Sequence, residues 1–358
     1  MQTLALGSYH IHIGPIGPSV SAFLKGRHFS QLFVLVDENT KAHCWPAFAP
    51  ALSGYPSTLI EIPAGETHKN IATCQLIWEQ LMKASAARDA LLINLGGGVI
   101  GDMGGFAAST FKRGIPFIQV PTTLLSQVDA SIGGKLGIDF MQVKNSIGLF
   151  SDPQAVLIDP AFLRTLSGRE IRSGYAEILK HSLIADAGQW GRLNTLAQLD
   201  TAEWSEIIPQ SLLVKQRIVA ADPFEKGIRK ALNFGHTIGH AVEGIALETD
   251  TPLLHGEAIA VGMICEAWLS HKKLGLPQET LHTITNYLLR VYGKPAIHKT
   301  DYTAYLQLMG NDKKNEGQAI NFSLLPAAGQ VEVNCTATQE QIIGALDYYR
   351  QLPSPAPS

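Results

Sequence analysis

The chain has 358 residues, 46% of them hydrophobic, which is enough for one large core or two smaller ones and excludes global disorder. A net charge of −3 gives no basic field of the kind that holds nucleic acid, so an anionic ligand must be met by a local cluster of Lys, Arg and His. Four widely spaced cysteines without a C-x-x-C argue against a disulfide scaffold or a cysteine zinc site, and fit a reducing compartment.

The first ten residues lack the basic and apolar regions of a signal peptide. No apolar run approaches the roughly 18 residues of a membrane span, so the reading is a soluble, cytoplasmic protein. Residues 1–20, with turns near Gly7 and Gly14, suggest a short hairpin. Apolar runs at 31–36, 57–62, 90–95, 116–120 and 155–159 read as buried strands. Apolar spacing through Ile71, Cys74, Leu76, Ile77 and Leu81 predicts a helix over 68–87. Short strands alternating with helices imply a Rossmann-like, doubly wound parallel sheet, with ligands at the carboxyl ends of its strands. Asp37, Gly97, Gly98, Thr122 and Thr123 lie at such ends. Beyond about residue 160 the pattern turns helical, over 168–186, 202–220, 229–247, 254–274, 278–292 and 338–351. A late hairpin is predicted from 319–325 and 329–333, and the Pro/Ser tail 353–358 reads as disordered. The fold class is therefore α/β followed by a mainly helical domain, with expected domains 1–160 and 161–358.

Gly96-Gly97-Gly98-Val99-Ile100-Gly101-Asp102 follows the strand at 90–95 and opens a small-residue helix. Strand, glycine turn and helix bring backbone N–H groups against a phosphate, and Asp102 could hold a ribose or a polar substrate group. Without a strict G-x-G-x-x-G, an ordinary βα turn would look the same. In Asn233-Phe-Gly-His236-Thr-Ile-Gly-His240, a helix would put the two histidines on one face, with Asn233 sharing it. Thr237 stands where a zincin needs Glu, which disfavours a metalloprotease. His255-Gly-Glu257 starts an apolar helix, with Glu257 suited to the helix dipole and His255 a possible third ligand. Glu177 and Lys180 are three apart, as in a surface ion pair, but Glu177 also completes a two-His, one-Glu zinc set. Arg113, Lys135 (after Gly133-Gly134), Lys144, Lys215, Arg229, Lys313 and Lys314 form the reservoir of anion-binding cations.

Taken in order, six segments resemble 3-dehydroquinate synthase, a sugar phosphate cyclase. They are 96–102, 113–125, 127–135, 174–180, 232–240 and 255–257. The resemblance implies a lyase of the shikimate pathway, dependent on NAD and on Zn²⁺ or Co²⁺. It would convert 3-deoxy-D-arabino-heptulosonate 7-phosphate to 3-dehydroquinate and phosphate, working as a homodimer with no nucleic-acid or membrane partner. Carried over by position, Glu177, His236 and His255 would hold the metal. Asp129, Lys135, Lys180, Lys215, Arg229 and Asn233 would hold the substrate's carboxylate and hydroxyls. Asn145, His240 and one of Lys313 and Lys314 would hold its phosphate, with Arg113 reaching in from the other subunit. Glu225 and His240 match residues of proton transfer. Cofactor contacts would come from Asp37, Asn39, Glu66, Lys69, Gly97, Gly98, Val99, Asp102, Thr122, Thr123, Lys144, Phe162, Leu163, Arg164 and Thr165. Many members carry Asn-His-Pro-Leu-Gly between the positions of Lys135 and Lys144; here 138–143 departs from it, which leaves that loop's substrate contacts open. The pair Gly133-Gly134 favours dehydroquinate over the valiolone and inosose cyclases. A metal-dependent polyol dehydrogenase of the glycerol type, or an inactive binding protein on the same scaffold, are the competing readings.

Overall fold

A computed structural model describes all residues except 142, 248, 311–319 and 355–358, and at 143 the backbone alone. It divides into two compact units: residues 1–167 with 204–209, and residues 168–203 with 210–358.

The first unit is built on a seven-stranded sheet. Its strands in chain order are β1 (Gln2–Leu6), β2 (Tyr9–Ile13), β3 (Leu32–Asp37), β4 (Ser57–Ile62), β5 (Leu91–Gly96) and β6 (Phe117–Pro121). A separate hairpin, β7 (Lys135–Phe140) and β8 (Val143–Phe150), precedes the last sheet strand, β9 (Ala155–Ile158). The sheet order is β1-β2-β9-β6-β5-β3-β4, parallel except for the β1–β2 hairpin. The apolar strands are buried on both faces because alternate residues feed two cores. Phe33 and Leu35 join one cluster with Leu92, while Leu32, Val34 and Val36 join the other with Leu91, Ile93 and Leu95. From β3 the chain winds outward to β4 and then returns to β5 on β3's other side. That reversal of winding opens a crevice at the carboxyl ends of β3 and β5, where Asp37 and Gly96 stand.

In the second unit the described helices include Gly168–Ala185, Trp204–Ala221 (its first six residues cluster with the first unit), His236–Ala246, His255–Leu274, Gln278–Tyr292 and Gln339–Gln351. A small hairpin, β10 (Ile320–Leu324) and β11 (Glu332–Ala337), completes it.

Several boundaries differ from the sequence reading. The helix predicted over 68–87 spans Ile71–Lys83, because Asn70 caps its start through Thr73 N and Ser85 adopts φ 53° just past its end. The late hairpin pairs Ile320 with Ala337 and Leu324 with Glu332, so its second strand, Glu332–Ala337, overlaps the expected 329–333 only at its start and runs past it. The helix predicted over 229–247 is broken: a 3₁₀ segment Ile228–Asn233 ends before Gly235 (φ 79°), and the α-helix starts at His236. Asn233 therefore does not share a helical face with His236. The hairpin β7–β8 and the helices Ala187–Leu193 and Tyr302–Gly310 were not legible as elements. Of the tail 353–358, the last four residues lie outside the described ones.

Candidate active site

In the α/β unit, the strand ends collect the groups read as nucleotide contacts. The helix Gly98–Thr110 follows β5 directly, and its N-cap residue, Gly97, offers no side chain to the first N–H groups. A Cβ on Gly98 would meet only Ala130 at 3.4 Å, so this helix end is open to a ligand. Orphan donors, a helix dipole and an unobstructed backbone fit a pyrophosphate. Val99 lies in the first turn of that helix, and Asp102 one turn in. Asp37 closes β3 and caps the short helix Glu38–His43 through Thr40 N at 2.7 Å, with Asn39 exposed in that helix. Thr122 and Thr123 follow β6, Thr122 buried and hydrogen-bonded from its N–H to Gly96 O at 3.0 Å. Phe162, Leu163, Arg164 and Thr165 lie on the 3₁₀ segment Pro160–Thr165, the first two buried and the last two exposed.

Lys69 is almost fully buried, and its ammonium donates to Asp102 Oδ2 and to Asn145 Oδ1, each at 2.6 Å. Burial pulls this ammonium down, yet Asp102 and Glu66 carry it above its ordinary value. Burial pushes the Asp102 carboxyl up to about 6, against the pull of Lys69. Lys144 Nζ approaches Glu66 at 3.9 Å. Lys135 is exposed at the start of β7, and Asp129 is half-buried after β6. The preceding glycine pair has a backbone reason. Gly133 and Gly134 take φ 97° and 65°, and a Cβ on Gly134 would stand 2.9 Å from Asp152 Oδ1 and 3.2 Å from Ser151 O. Arg113 is exposed at φ 69°, beside a cavity of about 350 Å³ that Ser109, Ser151, Asp152 and Gln154 also line.

The helical unit gathers the second set. Glu177, on Gly168–Ala185, is fully buried and paired with Lys180. Its Oε1 has no hydrogen-bond partner, yet His236 Nε2 lies 3.3 Å and His255 Nε2 3.6 Å away. An orphaned carboxylate oxygen facing two imidazole nitrogens is the donor set of a borderline cation such as Zn²⁺ or Co²⁺. Burial pushes the Glu177 carboxyl up, but Lys180 and His236 hold it well below the ordinary range. Burial and Lys180 lower His236. Burial opposes a charge on His255, yet Glu177 and Glu243 lift it to about 10. His240 is exposed one turn along, its ring 5.0 Å from His236 and 5.8 Å from His255, so the three histidines converge.

Helix crossing fixes this geometry. A Cβ on Gly262 would fall 1.9 Å from Gly235 O, so the His255 helix can lie against the start of the His236 helix only with glycine there. Glu266, buried on the same helix, accepts from Gly235 N at 2.6 Å and Ile238 N at 3.1 Å, capping a helix whose own cap residue has no side chain. Glu243 Oε2 pairs with His255 Nδ1 at 3.1 Å and so orients that ring. Both carboxylates were missed as site residues. Glu243 sits two helical turns after His236, and Glu266 interrupts the apolar run 258–269, signals that could have found them. Glu257 caps its own helix through Leu254 N and pairs with Arg169 at 2.7 Å.

Lys180, Lys215 and Arg229 are 1%, 4% and 2% exposed, cations largely withdrawn from water. Asn233 Nδ2 donates to Glu225 Oε1 at 2.8 Å, so these two meet, with Glu225 at φ 57° in the loop that Asp222 organises. Lys313 and Lys314 lie outside the described residues.

The model of the 3-dehydroquinate synthase N-terminal domain matches residues 59–173, and that of its C-terminal domain matches 174–315. The 3-dehydroquinate synthase of Parabacteroides distasonis is 45% identical over 92% of this chain and 94% of its own length. That of Bordetella pertussis is 41% identical over 90% and 92%. Among solved structures, the 2-epi-5-epi-valiolone synthase of Streptomyces hygroscopicus, with NAD⁺ and Zn²⁺ bound, superposes with a TM-score of 0.83 at 27% identity over 98% of both chains. Glycerol dehydrogenase of Schizosaccharomyces pombe shares the fold at a TM-score of 0.60 and 15% identity, covering 98% of this chain and 90% of its own. No helix among the described residues is long and apolar enough to cross a membrane. By its matched domains and by its identity to these relatives, the chain belongs to the 3-dehydroquinate synthase family.

Proposed function

We propose that this chain is a carbon–oxygen lyase that converts 3-deoxy-D-arabino-heptulosonate 7-phosphate to 3-dehydroquinate and inorganic phosphate. NAD and Zn²⁺ or Co²⁺ are its cofactors. The observation that carries this reading is the buried Glu177 oxygen facing His236 and His255, in a chain that also places an uncapped glycine helix after β5. When bound, the nucleotide supplies reversible hydride acceptance, and the metal lowers the pKa of the hydroxyls it holds. The net reaction is redox-neutral, so whatever is oxidised early must be reduced again before product leaves.

The residues divide the remaining work. Glu177, His236 and His255 would hold the metal, with Glu243 fixing the His255 ring. Asp129, Lys135, Lys180, Lys215, Arg229 and Asn233 would bind the substrate's carboxylate and hydroxyls. Lys215 and Arg229, largely withdrawn from water, would act on a bound anion through a lower dielectric than solvated cations do, while Lys180 is held by Glu177. Asn145 and His240, with a lysine of 313–314, would take the phosphate. Glu225, already hydrogen-bonded to Asn233, and His240 would move protons. Arg113 would act from the second subunit of a homodimer. The helix start at Gly97 and Gly98, together with Asp37, Asn39, Glu66, Lys69, Asp102, Thr122, Thr123, Lys144 and 162–165, would receive the nucleotide. A cytoplasmic location accompanies this reading.

Phosphate release from the heptulosonate phosphate is the direct test. Release is expected with NAD⁺ and metal present. It should be abolished by exhaustive chelation and restored by Zn²⁺ or Co²⁺. Full activity of His255→Ala after dialysis against chelator would overturn the metal assignment.

A further inference from the structure

The hairpin β7–β8 is where this sequence leaves its family's pattern, and it carries a device of its own. Its register pairs Ile138 with Ile147 and Phe140 with Val143. Between those rungs β8 has more residues than β7, so Lys144, Asn145 and Ser146 are thrown out of the ladder as a bulge. Asn145 takes φ 50°, a left-handed conformation that asparagine tolerates better than most residues. Its backbone N–H donates to Asp139 Oδ1 at 2.7 Å. Its side-chain Oδ1 accepts from Lys69 Nζ at 2.6 Å. Asp139 is tied to the same lysine, donating its own N–H to Lys69 O at 2.8 Å.

An asparagine amide offers an acceptor on one side and donors on the other. With Oδ1 turned to an ammonium, the Nδ2 donors face away from it, and the ligand they suit is an acceptor such as a phosphate oxygen. We infer that Asp139 and Lys69 together are a positioning clamp: Asp139 holds the bulged backbone of Asn145, and Lys69 fixes its amide so that Nδ2 is presented to the substrate's phosphate. Asp139 lies within the departing segment 138–143. The inference rests on the reading of Asn145 as a phosphate contact.

Steady-state kinetics of Asp139→Ala, Asp139→Asn, Asn145→Ala and the Asp139→Ala/Asn145→Ala double variant test it. Asp139→Ala should raise KM for the sugar phosphate about tenfold, with kcat and NAD⁺ affinity within twofold of wild type. Asp139→Asn keeps an acceptor oxygen and should return KM to within threefold. The double variant should be no worse than Asn145→Ala alone. Unchanged KM in Asp139→Ala, additive effects in the double variant, or no rescue by Asp139→Asn would overturn the clamp. Should the alanine variant not fold, Asp139→Ser, whose hydroxyl stops short of the Asn145 N–H, gives the same readout. If neither folds, Asp139 serves hairpin stability and the proposal fails. If Asn145→Ala itself leaves KM unchanged, it is the phosphate-contact reading that has failed, whatever Asp139 does.

Discussion

In the α/β unit Asp102 and Glu66 stand half-open and Lys144 is exposed, and with the buried Lys69 they form the ion pairs Lys69–Asp102 and Lys144–Glu66. Glu177, Lys180, Lys215 and Arg229 in the helical unit are walled into helices, with almost no surface on water. The first arrangement uses what a parallel sheet supplies without design: strand ends, a helix N-terminus and missing Cβ atoms. The second has to be assembled, by helix crossings as close as Gly262 on Gly235 and by carboxylates such as Glu266 that serve backbone groups. The difference teaches where stability and function conflict. A change in the strand-end groups should cost binding more than folding, whereas a change in the buried helical set should cost both.

The largest effect is expected at Glu177. Glu177→Leu leaves Lys180 charged and buried without its partner, a loss of roughly 3–5 kcal/mol for a broken buried pair. Glu177→Leu/Lys180→Met should recover most of it. Urea unfolding of the three proteins measures this, and a single variant as stable as wild type would break the contrast. Next comes Glu266→Leu, which strands the Gly235 and Ile238 N–H groups; an orphaned buried donor costs about 1–3 kcal/mol. Its urea midpoint should fall accordingly while NAD⁺ affinity stays put. A loss confined to NAD⁺ affinity would contradict the division.

At the strand ends the readout is pH. Burial raises the Asp102 carboxyl to about 6, above its ordinary value, so the carboxylate is fully present only well above pH 6 and is lost as pH falls through it. If the carboxylate is what holds the nucleotide, NAD⁺ affinity should be flat above about pH 7. Well below 6 it should drop about tenfold per pH unit, or roughly 1.4 kcal/mol. Calorimetric titrations from pH 5 to 8 should show that inflection in wild type and lack it in Asp102→Asn; the same inflection in both would assign it elsewhere. The smallest effect has the opposite sign. Gly98→Ala meets only Ala130 at 3.4 Å and improves helix propensity, so it should stabilise the protein by up to about 1 kcal/mol while weakening NAD⁺ binding. A thermal melt and a binding isotherm together decide it.

Legibility in the sequence followed the same divide. Strands such as 91–96 were readable because apolar runs buried on both faces leave an unbroken signal, and the glycine turn after β5 was readable because glycine leaves the backbone there open. The helical unit was readable as helices but not as geometry. The break at Gly235 depends on Glu266, 31 residues away, accepting the N–H groups of the next helix, and no local pattern encodes that. Spacing alone therefore placed Asn233 on the wrong element. That Glu177 could complete a two-His, one-Glu set was readable from residue types, but the choice of His236 and His255 as its two histidines came only through the family resemblance, because three separate helices supply the ligands. The hairpin β7–β8 escaped because its strands hold a bulge and glycines where alternation would show.

The central claim is that hydride is borrowed and returned. It is tested most directly by counting products against cofactor, with NAD⁺ held far below the heptulosonate phosphate. The account predicts many turnovers per NAD⁺, one phosphate released for each substrate consumed, and no NADH accumulating at the end. NADH rising one-for-one with substrate loss, with no phosphate released, would contradict it and make the chain a polyol dehydrogenase on the same fold.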